Sequence, residues 1–319
     1  MKKILAAVAA FALIATSLAG CGGGSAAEGP QSLTLATGGD SGTYYAVGGV
    51  LGTTLSPKLE KSTVAAVTSG ASKANIQMID MKEADLAIVQ NDVMTYAMNG
   101  TDLFEGEKYD SFSAVASLYA ETFQIVATSD ISSVEELKGK TVSVGDAGSG
   151  TEFNARQIFE AYGMTFEDID VVNLSFGDSA TAMKDGKVDA FFVTAGHPTT
   201  AVVELCTTND INVLTIDDAH ADTLIAAYPY YTKVTIPGGT YSTVEEDTQT
   251  VAVMATLIAD NDLSEDVVYE LLKAMDENLD SLRSGHAKFE EFSIESAANG
   301  VSIDFHPGAQ KYLEEKGVL

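Results

Sequence analysis

One sequence pattern constrains the fold of this chain most, because it occurs twice. A short apolar strand ends in a polar, glycine-rich turn, and the turn leads into a helix. The first copy lies at 33–49, with its turn at 38–43, and the second begins with the strand Thr141–Val144 and continues through the turn at 145–150. Two further strands, Ala84–Val89 and Val188–Val193, also end in polar residues. Nearly the same number of residues separates the members of each pair, which favours two similar α/β lobes.

A helix that follows a glycine turn presents N–H groups that have no partner within the helix. These donors and the positive end of the helix dipole attract an anionic group. Gly42 has no side chain and therefore lets a ligand approach the backbone closely. An ordinary connection without a ligand is the alternative for one such turn, and its recurrence at Ser149–Thr151 favours a binding site.

Four polar strand ends are expected to meet at one cleft, at 39–44, 90–92, 148–151 and 194–198. Ligands of open α/β sheets lie beyond the carboxyl ends of the strands. Tyr44 is expected to face the cleft in preference to Tyr45. His197 either contacts the ligand or fixes its loop. The predicted ligand-binding residues are Gly42, Thr43, Tyr44, Gln90, Asn91, Asp92, Ser149, Gly150, Thr151, Thr194 and His197.

The apolar pattern also predicts individual elements. Two strand-length runs occur at 112–119 and 123–128, and the segment 248–259 is expected to contain a strand and a helix. Residues 264–282 read as one amphipathic helix with Ser264 as its cap, and Asp92 suits the cap of another helix.

The N-terminal sequence predicts export. Lys2 and Lys3 precede an apolar segment at 4–18 that is shorter than the roughly 20 residues of a membrane-spanning helix. The residues Leu18–Cys21 resemble a bacterial lipobox, which implies cleavage of a signal peptide at 1–20 and acylation of Cys21; a plain secretory signal is the alternative. Residues 21–30 are then a flexible tether, and the protein is extracytoplasmic and anchored to the membrane by its lipid.

Charge excludes some classes of partner. The 319 residues carry a net charge of −28, and loss of Lys2 and Lys3 would make it more negative. Such a surface repels nucleic acid and anionic lipid headgroups. The histidines show no metal-ligand spacing, the glycine turns match neither a P-loop nor a nucleophile elbow, and no cofactor or catalytic residue is predicted. Cys206 lies in an apolar run and is expected to be a buried thiol.

Segments along nearly the whole exported chain resemble the TAXI family, the solute-binding proteins of TRAP (tripartite ATP-independent periplasmic) transporters. They are Gly42–Tyr45, Gly48–Gly49, Gln90–Asp92, Ser149–Glu152, Asp189–Phe192, Gly196–Thr199, Tyr228–Tyr231, Ile236–Tyr241 and His306–Ala309. The resemblance implies a type II periplasmic-binding-protein fold, with two α/β lobes around a hinged ligand cleft. It also implies delivery of a small organic anion or amino acid, glutamate- or glutamine-like or a dicarboxylate, to a permease driven by an ion gradient.

The expected lobes comprise residues 31–120 with 232–319, and residues 121–231. Arg156 lies two turns into the helix after Thr151, where a structural salt bridge is expected. The carboxylate is then held by N–H groups and by the hydroxyls of Thr43, Ser149 and Thr151. The alternatives to a transport receptor are an anchored sensor that signals to a membrane kinase and, third, an enzyme that acts on a phosphorylated or carboxylated metabolite.

Overall fold

The computed structural model describes residues 30–319, so the predicted signal peptide and Cys21 lie outside the described residues. The strands are β1 (Gln31–Ala36), β2 (Ser62–Val67), β3 (Leu86–Gln90), β4 (Phe112–Thr128), β5 (Thr141–Ser143), β6 (Asp170–Val172), β7 (Ala190–Ala195), β8 (Ile211–Val213), β9 (Thr232–Ile236) and β10 (Thr248–Asp260). The helices are α1 (Thr43–Leu55), α2 (Ser72–Asp80), α3 (Asn91–Asn99), α4 (Gly150–Ala161), α5 (Phe176–Lys184), α6 (Thr200–Leu205), α7 (Asp218–Ala227), α8 (Glu265–Glu277), α9 (Leu279–Gly285) and α10 (Pro307–Glu315). No helix within 30–319 is long and apolar enough to cross a membrane.

The strands form one mixed sheet of 10 strands in the order β2-β1-β3-β10-β4-β7-β5-β6, with β8 paired to β4 and β9 to β10. The two halves have the same arrangement when each is followed from its own edge: β2-β1-β3 leads to β10, and β6-β5-β7 leads to β4. In the first half, β1 is parallel to β2 and β3, and β10 is antiparallel to β3. In the second half, β5 is parallel to β6 and β7, and β4 is antiparallel to β7. The antiparallel pair β4–β10 joins the halves.

The repeat that the sequence indicates is visible in matching hydrogen bonds. The N–H of Thr34 in β1 donates to Asp85 Oδ2 at 2.8 Å, and the N–H of Thr141 in β5 donates to Asp189 Oδ2, also at 2.8 Å. In return, the N–H groups of Asp85 and Asp189 donate to the carbonyl oxygens of Thr34 and Thr141. Each aspartate therefore fixes the start of β3 or β7 beside its parallel neighbour.

Two predictions of local structure are wrong at the centre of the sheet. The runs at 112–119 and 123–128 form one continuous strand, β4, and 248–259 forms β10 without a helix. Since Glu121 is buried and paired within β4, the charge that separates the two apolar runs does not end the strand. Strand β10 is buried along most of its length between β3 and β4, and this pairing over many residues outweighs local helix propensity.

Helix boundaries differ from the prediction at two places. The expected helix at 264–282 is divided into α8 and α9 at Asn278, whose backbone leaves the helical region at φ −117° and ψ 24°. Ser264 caps α8 as predicted, by accepting a hydrogen bond from the N–H of Val267. Helix α3 begins at Asn91 with Gln90 as its N-cap, so the prediction that Asp92 is the cap is wrong.

Apolar clusters fill the space on both faces of each half of the sheet. Helices α1, α8 and α10 cover one face of the first half, and α4 and α7 cover one face of the second. Ile236 and Tyr241 pack with β7 and α6, and Val251 packs with Phe123. Packing thus joins these residues to the second half, whereas the expected division at 232 joins them to the first.

Candidate functional site

A partly enclosed cavity lies at the carboxyl ends of β1, β3, β5 and β7. It is lined by Gly38, Gly39, Ser41, Gly42, Thr43, Tyr44, Ala71, Ser72, Gln90, Glu121, Asp146, Ser149, Gly150, Thr151, Ser175, Phe176, Thr194 and Ala195. The space open to the centres of water molecules is about 40 Å³. Since roughly 10–15 Å³ of such space holds one water, the cavity suits only a small molecule.

Four helices begin at the wall of this cavity. They are α1 at Thr43, α2 at Ser72, α4 at Gly150 and α5 at Phe176. No side chain of the described residues caps α1 or α2, whereas Ser149 caps the N–H of Glu152 and leaves the N–H of Gly150 free of that cap. Each helix N-terminus carries roughly half an elementary positive charge. Helix N-termini in this arrangement can hold an anionic group without a basic side chain.

Tyr44 and Glu121 form a buried pair on the wall. The hydroxyl of Tyr44 donates to Glu121 Oε1 at 2.5 Å, and Glu121 is 1% exposed. Burial raises the pKa of the Glu121 carboxyl well above its usual range, the charge of Asp92 raises it further, and the hydrogen bond from Tyr44 opposes this. The result is a carboxyl group that faces the cavity with no ion-pair partner among residues 30–319.

Contacts between the two halves lie beside the cavity. The hydroxyl of Thr43 in α1 donates to the carbonyl of Gly196, after β7, at 2.9 Å. A Cβ atom at Gly42 would lie 3.7 Å from the ring of Phe176 in α5, and one at Gly177 would lie 2.9 Å from Ser41 Oγ. The turn before α1 therefore contacts the start of α5, and Thr43 contacts the loop after β7, so the two halves meet beside the cavity.

A buried polar network crosses below the cavity. The amide nitrogen of Gln90 donates to Asn154 Oδ1 at 2.8 Å, and Asn154 Nδ2 donates to Asp92 Oδ2 at 2.9 Å and to the hydroxyl of Tyr231 at 2.6 Å. Burial raises the pKa of Asp92 to about 6, although the hydrogen bonds from Asn154 and the N–H of Val93 lower it. Gln90 Oε1 is buried and has no hydrogen-bond partner in the described chain.

Eight of the predicted site residues line the cavity, and they come from all four predicted loops: Gly42, Thr43, Tyr44, Gln90, Ser149, Gly150, Thr151 and Thr194. The other three are not part of its wall. Asn91 Nδ2 donates to the carbonyl of Gly300, and Asn91 Oδ1 accepts from the N–H of Met254. Asp92 belongs to the buried network. His197 Nδ1 pairs with the hydroxyl of Thr122 at 2.7 Å, and burial lowers the pKa of its imidazole to about 4.

Two other residues singled out in the sequence have structural roles. Arg156 lies 3.5 Å from Glu152 and over the ring of Phe166, and it does not line the cavity. Cys206 is buried. The described residues contain no group of three or more His, Cys, Asp or Glu side chains that could hold a metal ion.

Sequence reasoning missed three residues that decide the chemistry of the wall. Glu121 sits between two apolar runs, and this isolated acid inside an apolar stretch is the signal that could have found it. Asp146 lies in the second glycine turn, at the place that Asp40 holds in the first. Phe176 follows Ser175, the cap of α5, in a segment whose helix was not predicted.

Comparison with known proteins places the chain in a family and a fold. The model of the NMT1-like family matches residues 35–317, and the chain belongs to this family. A protein from Bordetella bronchiseptica RB50 is 14% identical, with 89% of this chain and 88% of that chain covered, at a TM-score of 0.55. A protein of Listeria monocytogenes, described as an L-cystine ABC transporter, is 14% identical, with 81% and 95% covered, at a TM-score of 0.50.

At this identity the likeness bears on the fold alone. The mixed α/β architecture and its sheet of 10 strands are periplasmic-binding-protein-like, and the predicted fold class is confirmed.

Proposed function

We propose that this protein is an extracytoplasmic solute-binding protein that captures a small organic anion or amino acid. The observation that carries the proposal is the partly enclosed cavity at which α1, α2, α4 and α5 all begin. Backbone N–H groups and the hydroxyls of Ser149 and Thr151 hold the carboxylate of the solute, whereas the hydroxyl of Thr43 donates to the carbonyl of Gly196. The two halves of the sheet act as lobes that open for entry and close on the solute, which excludes water.

The membership of the NMT1-like family and the likeness to a protein described as an ABC transporter support a role in membrane transport. We assign the delivery of the solute to a TRAP permease, because the sequence segments named above resemble TAXI receptors. Uptake that follows an ion gradient and persists when ATP is depleted supports this assignment. Uptake that stops with ATP depletion while the gradient is maintained supports an ABC permease instead.

Packing supports a boundary between the lobes that differs from the sequence-based one. We propose that the chain crosses between lobes near 120–121 and returns near 253–254, within β4 and β10.

We also propose that acylation of Cys21 anchors the receptor at the outer face of the membrane, with residues 21–30 as a flexible tether. Conversion of Cys21 to serine is then expected to release the protein from membranes, as fractionation would detect.

The proposed capture of a solute is tested by a thermal-shift screen of amino acids and organic acids. A ligand at 100 times its Kd stabilises the folded state by about 2.7 kcal/mol, so a true solute produces a saturable rise in Tm. Thr151→Phe fills the cavity and is expected to abolish that rise. Thr181→Phe, on the exposed side of α5, is the matched control and retains it.

The outcome that contradicts the proposal is a flat response of the wild-type protein to the whole screen. Unchanged affinity in Thr151→Phe, with an unliganded Tm equal to that of the wild type, removes Thr151 from the site. A sensor that signals to a membrane kinase would give the same thermal shift, and dependence of solute uptake on this protein distinguishes transport from it.

A further inference from the structure

The wall of the cavity carries two acidic side chains, Glu121 and Asp146, and no Lys, Arg or His among the described residues that line it. Lys73 is the basic residue whose stem reaches the turn, 3.9 Å from a Cβ atom built at Gly148, but its ammonium donates to the carbonyl of Leu103 at 2.6 Å. The helix N-termini supply attraction for one anionic group. The described wall offers no basic side chain to a second carboxylate.

Glu121 needs a partner that the described chain does not supply. Its one hydrogen-bond donor there is the hydroxyl of Tyr44, which binds Oε1. The effective penalty of burying an ion without an opposite charge is several kcal/mol. A protonated amine on the solute offsets this penalty, because an opposite charge nearby favours the ionised carboxyl.

Gln90 lies in the same wall but adds no acceptor for the amine. Its Oε1 has no hydrogen-bond partner among residues 30–319, yet it is buried against the start of α4, where a Cβ atom at Gly150 would overlap it. Its Nε2 donates to Asn154 Oδ1. The amine of the solute is therefore assigned to Glu121 alone, whose side chain lines the cavity.

We propose that the solute is a zwitterion with one carboxylate, one protonated amine and no second acidic group. The carboxylate faces the starts of α1, α2, α4 and α5, and the amine faces Glu121. The inference rests on the proposed solute-binding function. It narrows the solute from organic anions in general to amino acids without an acidic side chain, and it excludes dicarboxylates.

Calorimetric titration of the purified protein tests this class directly. The panel contains the 20 common amino acids, the deamino analogue of each one that binds, and succinate, glutarate and adipate. We expect at least one amino acid with a neutral or basic side chain to bind. Its deamino analogue binds at least 100-fold more weakly, and the dicarboxylates bind no better than that analogue.

The opposite ranking overturns the inference. If a dicarboxylate or an acidic amino acid binds more tightly than every other amino acid, the zwitterion assignment is wrong and the solute-binding function survives. If no amino acid binds and the thermal-shift screen identifies another organic acid, the zwitterion assignment is wrong and the solute-binding function survives. If neither the panel nor that screen gives a ligand, both fail.

Glu121→Gln removes the charge and keeps the volume. We expect it to lower the ratio of affinities for the amino acid and its deamino analogue at least tenfold. A purely structural role for Glu121 predicts equal weakening of both, which leaves the ratio unchanged and overturns the assignment of the amine. Glu160→Gln, near the far end of α4, is the control and keeps the wild-type ratio.

Discussion

Single atoms decide which residues are tolerated in α1, and the adjacent glycines Gly48 and Gly49 show this most clearly. A Cβ atom at Gly48 would lie 2.7 Å from Thr37 Cγ2 and 3.3 Å from Leu35 Cδ2. At Gly49 a Cβ atom would have nothing within 4 Å. The first glycine therefore permits the close approach of α1 to β1, while the second has no packing role.

Alanine at these two positions is expected to act in opposite directions. Gly49→Ala stabilises the fold by about 1 kcal/mol, since alanine is the better helix former. Gly48→Ala destabilises it by about 1–3 kcal/mol, the usual cost of overpacking a core. Urea denaturation of both variants measures the free energy of unfolding, and a shift of both in the same direction would contradict the packing described for α1.

At the scale of residues, the sequence predicts the backbone part of the site better than its side-chain part. Thr43 and Thr151 are found because a glycine turn before a helix is visible in the local sequence. Glu121 is missed because its environment is made by Tyr44, which lies far from it in the chain and reaches it only through the fold. Likewise, the different positions of Asp92 and Gln90 depend on their hydrogen bonds to Asn154 below the cavity.

One contact between the two halves is supported by a segment far along the chain, at 287–290. The short 3-10 turn Ala287–Glu290 places Lys288 against the loop after β7. Lys288 is 5% exposed, and its stem is so close that a Cβ atom at Gly196 would lie 2.7 Å from Lys288 Cε. Gly196 is the residue whose carbonyl Thr43 reaches from α1. The stem of Lys288 therefore supports a contact between the two halves beside the cavity.

Two substitutions separate the stem of Lys288 from its charge. Lys288→Ala removes buried methylene groups, each worth about 0.8 kcal/mol, and we expect solute affinity to fall about tenfold because the Gly196 loop loses its support. Lys288→Met keeps most of the stem and is expected to retain an affinity within a few-fold of wild type. Calorimetric titration provides the measurement. Equal losses in both variants would instead assign the effect to the ion pair with Glu291, at 2.6 Å.

Elements with a strong local pattern are predicted from the sequence, and short or central ones are not. Strands β1 and β3 and the helix that Ser264 caps are recognised because apolar periodicity and capping residues are local signals. Strand β6 has three residues, two exposed and one half-buried, so its sequence lacks the apolar run of a strand. The long strands β4 and β10 are misread because their mutual pairing is a tertiary contact.

Two features organise the whole molecule: a repeat that is visible in the sequence, and the pairing of β4 with β10, which is not. Each copy brings two helix N-termini to the carboxyl ends of its parallel strands, which is why one cavity is predictable. Ala252 pairs with Thr122 and Asp260 with Phe112, and this long-range register joins the halves. Local patterns carry no information on that register, so the shape of the cavity follows only from the structure.

The central claim is that helix N-termini from both halves hold the carboxylate of one small solute in the cavity. A crystal structure of the protein with the solute that gives the largest thermal shift tests it most directly. We predict that the carboxylate oxygens lie about 2.7–3.2 Å from backbone N–H groups, the range for hydrogen bonds, at the starts of α1 and α4. A solute bound elsewhere on the molecule, or one whose carboxylate points to Glu121 and not to these helices, would contradict the account.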